Sequence, residues 1–210
     1  MHKRILPILS CIITVAAIIS CNNAPAVKEN KQPLKNYNFS VPEKWTTEKF
    51  PLPPSFAPSI TLKGIEDIRF TPGWANLKSD EYWSYAFVWW VDGGQAINDT
   101  ILANYLQAYY TGLVASNTKK NAIASRQLVP ATASIKKVTT TAGDAETYKG
   151  EITMQDYMDM GLKQLVLHCV IHKKQCSGHT ALLFQLSPKD ETHAVWNGLN
   201  KLNMDFSCGE

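Results

Sequence analysis

Apolar residues fill both alternating sets from Tyr82 to Val91, with Trp83, Tyr85, Phe87, Trp89 and Val91 on one side and Tyr82, Ser84, Ala86, Val88 and Trp90 on the other. A strand apolar on both faces belongs in the middle of a sheet that is covered on both sides, and Asp92-Gly93-Gly94 ends it. After Asn98, a good N-cap, Ile101, Leu102, Tyr105, Leu106, Tyr109, Leu113 and Val114 recur at helical spacing, which predicts a helix lying across that sheet. Upstream, shorter patterns predict strands at 37–41, 60–62 and 65–70. They are separated by a turn at 42–45 and an extended loop through Pro51, Pro53, Pro54 and Pro58, and a turn at 71–74 closes the last of them.

Downstream, alternating segments at 133–141, 146–154, 162–173 and 179–186, joined at Gly143-Asp144 and through residues 175–178, predict an antiparallel meander. Ser187 followed by Pro188, with Asp190 three positions after the serine, is expected to open a second helix. That helix would bury Val195, Trp196, Leu199 and Leu202, and a last strand would run over 203–208. The order of elements predicts an α+β fold, an antiparallel sheet with two helices packed on it, in which Trp196, Leu199 and Phe206 join the same core as Tyr105 and Leu106.

The N-terminal pattern is different. His2, Lys3 and Arg4 precede an apolar run from Ile5 to Ile19, the charge and hydropathy profile of a secretory signal peptide. A membrane-spanning helix needs about 20 apolar residues, and the polar Cys21-Asn22-Asn23 cuts this run short. The junction Ile18-Ile19-Ser20-Cys21 resembles the bacterial lipoprotein cleavage box, which implies removal of residues 1–20 and lipid attachment at Cys21. Residues 21–36 carry the lipidated cysteine, four charged side chains and little to bury, and read as a flexible tether; residues 37–210 form a single folded domain. The expected location is a bacterial envelope membrane, the outer one facing the periplasm, with several acyl chains holding the protein there.

Of 21 Lys and Arg against 18 Asp and Glu, the signal removes two basic residues and no acidic one, leaving a net charge of +1. No electrostatic case for nucleic acid remains. Of the five cysteines, Cys11 leaves with the signal and Cys21 takes lipid, so Cys169, Cys176 and Cys208 offer one disulfide and one spare thiol, with the pairing open.

Phe39-Ser40-Val41-Pro42 followed by Trp45, Tyr148 with Glu151 on a central strand, and Trp196 ahead of Phe206 resemble the PsbP-like family. Its plant members are extrinsic subunits of photosystem II, and its bacterial relatives include lipoproteins. The resemblance implies a PsbP-like sandwich and an accessory, non-catalytic role beside a membrane-associated protein partner. The Pro-rich loop and the aromatic strand depart from the family pattern, and no family metal-contact residue has a counterpart here.

His168, Cys169, His172, Cys176 and His179 have the side chains that bind zinc or copper. In a regular strand His168 and His172 share a face but lie about 13 Å apart at roughly 3.3 Å per residue, and Cys169 points the other way. A smaller set of His172, Cys176 and His179 remains geometrically open, but core packing and solvation are the preferred account, and no metal or other cofactor is expected. Trp74, Tyr82 and Trp90 are the candidate aromatic face for a small ligand or glycan. Asp156 and Asp159 beside Tyr157 lack the spacing of a calcium loop and read as turn residues. With no nucleophile elbow, zinc-protease, P-loop or dinucleotide motif present, the leading expectation is a non-catalytic, lipid-anchored partner-binding module. The alternative is a small-ligand or glycan binder that uses its aromatic residues.

Overall fold

The computed structural model describes residues 37–120, 128–159 and 161–209. The doubly apolar segment becomes β4 (Tyr85–Asp92), and it pairs with a second strand of the same character, β8 (His179–Ser187), at the middle of a seven-stranded antiparallel sheet. Outward from β4 come β3 (Gly64–Phe70) and the edge strand β2 (Thr46–Leu52). Outward from β8 come β7 (Gln164–Cys176), β6 (Glu146–Gln155) and the opposite edge, β5 (Thr132–Val138). Two helices pack on this sheet, so the α+β architecture expected from the sequence is the one observed.

The helices cover opposite faces. Tyr85, Phe87, Trp89 and Val91 meet Leu102, Leu106, Tyr109 and Val114 of α1 (Asp99–Lys120), whereas Ala86, Val88 and Trp90 meet Trp196, Leu199 and Leu202 of α2 (Val195–Asp205). The expectation of one common core therefore fails: because successive side chains of a strand alternate, β4 and β8 each feed two cores. Asn98 caps α1 as expected, its Oδ1 accepting a 2.9 Å bond from the Ile101 N–H.

Four further expectations need correction. Thr46–Leu52 is a strand; its mostly exposed side chains hide the pattern, and Pro51 is tolerated because the strand is an edge. Residues 60–62 form no strand, although Ile60 and Leu62 are buried anchors of the loop before β3. Ser187 does not cap α2, since its hydroxyl pairs with that of Ser84 at 2.8 Å and accepts the Lys189 N–H at 3.1 Å, and the helix begins only at Val195. Finally, residues 203–205 end α2, and of the expected strand only β9 (Ser207–Cys208) is paired, with β1 (Tyr37–Asn38) in a separate two-stranded ribbon.

That ribbon is fastened twice. Cys208 is disulfide-bonded to Cys176 at the end of β7, with Cα atoms 5.5 Å apart, while Cys169 is a buried free thiol. Arg69 of β3, 2% exposed, donates to the carbonyls of Phe39 (2.8 Å) and Ser40 (2.9 Å), lies over the Phe39 ring, and pairs with Asp67, which also accepts the Tyr37 hydroxyl at 2.8 Å. A buried guanidinium is tolerable only with such complete pairing.

Candidate functional site

On the α1 side, the sheet and helix leave a cavity of about 320 Å³, within the size range of small-molecule sites. Its walls come from six parts of the chain: Glu48 and Phe50 on β2, Phe56 in the Pro-rich loop, Ile68 and Phe70 on β3, Trp74 and Trp83 in the loop before β4 with Tyr85 at the start of that strand, Tyr109, Leu113, Ser116 and Asn117 on α1, and Tyr157 after β6. The rings support one another. Phe70 stacks on Trp74 at 4.2 Å between centroids, Trp74 meets Trp83 edge-on at 6.2 Å, Trp83 meets Tyr157 edge-on at 5.1 Å, and Phe56 meets Tyr109 edge-on at 5.0 Å.

Local sequence explains the placement. Trp83 adopts a left-handed backbone conformation (φ 55°), unusual for so large a residue, and this turns its indole inward. Asp156, buried, accepts the Trp83 Nε1–H at 3.0 Å and the Tyr82 hydroxyl at 2.7 Å, together with the backbone N–H groups of Met158 and Asp159. One carboxylate thus joins the loop before β4 to the loop after β6 and sets Trp83 against Tyr157. Across the cavity, α1 comes close to the Pro-rich loop because residue 112 is glycine: a Cβ there would overlap the Phe56 carbonyl.

Two acidic residues on this side differ in kind. Glu48 lies on exposed β2 and, among the described residues, is the only charged one lining the cavity. Glu66, 0% exposed, shares the inner face of β3 with Ile68 and Phe70, and its Oε1 accepts the Tyr109 hydroxyl at 2.6 Å. Burial pushes its carboxyl up to about 8, although Tyr109 and Trp89 favour the charged form, so it is mostly protonated at neutral pH. Its Oε2 and the Trp89 Nε1 are buried without a hydrogen-bond partner of regular geometry among the described residues. The hydroxyls of Tyr85 and Tyr110 bond to each other, and burial raises both well above the ordinary phenol value.

The three aromatic residues singled out from the sequence separate. Trp74 is half-buried in the cavity wall, and Tyr82 sits behind that wall on Asp156. Trp90 is 4% exposed on the opposite face, between Tyr37 and His179. A single exposed face of Trp74, Tyr82 and Trp90 does not exist, because β4 begins only at Tyr85, after the left-handed Trp83: Trp74 and Tyr82 lie in the loop before the strand, while Trp90 within it joins the other core.

The metal-ligand set is divided as well. Cys176 is consumed by the disulfide. His172 bonds to Asp144 Oδ2 at 2.6 Å and to Gln185 Oε1 at 3.1 Å, and His179 stacks on Trp90. Among the described residues no group of three His, Cys, Asp or Glu side chains is placed to hold a metal ion. Asp144 and His172 have the look of half a catalytic dyad, but the outer nitrogen of the imidazole faces Gln185, whose amide donates to the Leu199 carbonyl at 2.6 Å and so ties α2 to the sheet. Burial disfavours the Asp144 carboxylate, yet bonds from His172, Lys174 and Thr147 outweigh it and hold the carboxyl below its ordinary value. Cys21 lies outside the described residues.

Sequence reasoning missed Glu48, Phe50, Phe56, Phe70, Tyr109 and Tyr157 as wall residues and Asp156 as their organiser. A signal was present at Glu66, a carboxylate in the alternating apolar set with Ile68 and Phe70. Comparison with known proteins finds no family model, no curated protein and no solved structure that matches the chain. The class defined by fold and site is thus an α+β domain with an aromatic cavity between helix and sheet.

Proposed function

We propose that this chain is a lipid-anchored envelope protein, held by Cys21, whose domain takes up a small, largely apolar molecule between α1 and the sheet. The observation that carries this reading is the cavity itself: eight aromatic side chains line it, and among the described residues Glu48, Ser116 and Asn117 are the only non-aromatic polar ones that join them. Apolar concavities with few polar groups are the usual form of small-ligand sites. The cavity favours ligand uptake over a purely partner-binding role, and among the described lining residues no nucleophile and base are in contact to favour an enzyme.

A neutral fluorescent probe, N-phenyl-1-naphthylamine, tests the proposal. Saturable binding to one site is expected in the natural protein and its loss in Ser116→Trp, which fills the cavity from the helix side. Binding that is non-saturable, or that persists in a folded Ser116→Trp variant, refutes it.

A further inference from the structure

Resting on that reading, we infer that the molecule taken up is an organic cation, its positive group seated against the Trp74, Trp83 and Tyr157 rings and balanced by the Glu48 carboxylate. Among the described residues Glu48 has neither ion pair nor hydrogen bond, and no cationic side chain of those residues lines the cavity beside it. The arrangement follows from strand alternation: Lys49, the next residue of β2, is carried to the other face of the sheet, where its amine lies 3.5 Å from Asp67. Glu48, itself exposed, is left on the cavity side of β2, among the aromatic wall residues.

Those walls suit a cation. The faces of Trp and Tyr rings carry negative electrostatic potential, and rings set edge-to-face around a pocket are the arrangement that holds alkylammonium groups. Trp74, Trp83 and Tyr157 are linked by successive near-perpendicular contacts of 89° and 81°, so they present differently oriented ring surfaces to one space. Among the described lining residues nothing offsets the Glu48 carboxylate for an anion, and a neutral polar molecule that bonds to Ser116, Asn117, Trp74 or Tyr157 leaves the Glu48 charge unbalanced. A cation with an apolar body matches both the charge and the rings.

The test is displacement of bound N-phenyl-1-naphthylamine by benzyltrimethylammonium and by its uncharged isostere, neopentylbenzene. The cation is expected to displace the probe at about tenfold lower concentration. Glu48→Gln should reduce that preference to about threefold or less without changing the effect of neopentylbenzene. Glu43→Gln, which removes an exposed carboxylate outside the cavity, should leave the preference intact. Equal displacement by the two compounds, stronger displacement by the neutral one, or an unchanged preference in Glu48→Gln overturns the cation assignment while the cavity remains a ligand site. Failure of the probe itself to bind saturably removes the site and the assignment together.

Discussion

Tyr109 on α1 donates a 2.6 Å hydrogen bond to Glu66 on β3, so a helix and a sheet that meet mainly through apolar contacts share one buried acid. In the unfolded chain this carboxyl ionises at its ordinary value of 4.5, and in the fold at about 8. Between those values only the unfolded chain has released the proton, so the fold loses stability as pH rises, by up to about 1.4 kcal/mol per pH unit. The loss ends above the folded value and is absent below the unfolded one. Glu66→Gln keeps an acceptor for Tyr109 without the titration. Urea midpoints measured from about pH 5 to about pH 8 should fall more steeply for the natural protein than for the variant, and parallel curves would show that Glu66 is ionised in the fold.

The Cys176–Cys208 bridge spans a sequence separation of 32 residues, for which loop-closure entropy gives a stabilisation of about 3–4 kcal/mol. Cys208→Ser should lower the free energy of unfolding by roughly that amount, and reduction of the natural protein should reproduce the change. A variant as stable as the oxidised protein would mean that the ribbon contributes nothing through its bridge.

Gly112→Ala sets two effects against each other. Alanine in place of glycine stabilises a helix interior by about 1 kcal/mol, but here the methyl group collides with the fixed carbonyl of Phe56, and forcing a core apart costs about 1–3 kcal/mol. Overlap should win, with a lower melting temperature and weaker probe binding, since Phe56 is a cavity wall. A stabilised variant would indicate that the Pro-rich loop yields easily.

Anchoring is tested at the other end of the chain. Cys21→Ala should abolish labelling with radioactive fatty acid and either block processing or free the protein from the membrane fraction. Normal membrane retention of the processed variant would defeat the lipoprotein proposal. Deletion of residues 22–36 should leave the melting temperature nearly unchanged, whereas removal of 203–210, which takes Phe206 and Cys208 with it, should abolish cooperative melting.

The elements legible in the sequence were those whose own residues determine their environment. The doubly apolar β4, the Asn98-capped α1 and the hairpins around Gly143 and Gly178 all carry local signals that tertiary structure leaves unchanged. What escaped was relational. Edge strand β2 exposes most of its side chains and is defined by its pairing with β3. The cavity draws single residues from stretches as distant as Glu48 and Tyr157. Trp90 looked equivalent to Trp74 because composition does not reveal which face of a sheet each aromatic joins.

If the proposed anchor at Cys21 holds the chain, the two fastenings of the β1–β9 ribbon determine where a pull enters the fold. Traction on the segment before Tyr37 reaches the fold where Arg69 grips the Phe39 and Ser40 carbonyls and where β1 lies against Cys208. Through the Cys176 bond the pull passes to β7, which is hydrogen-bonded to neighbours on both sides. A load passed on in this way enters an interior strand rather than β2 or β5, the edges of the seven-stranded sheet.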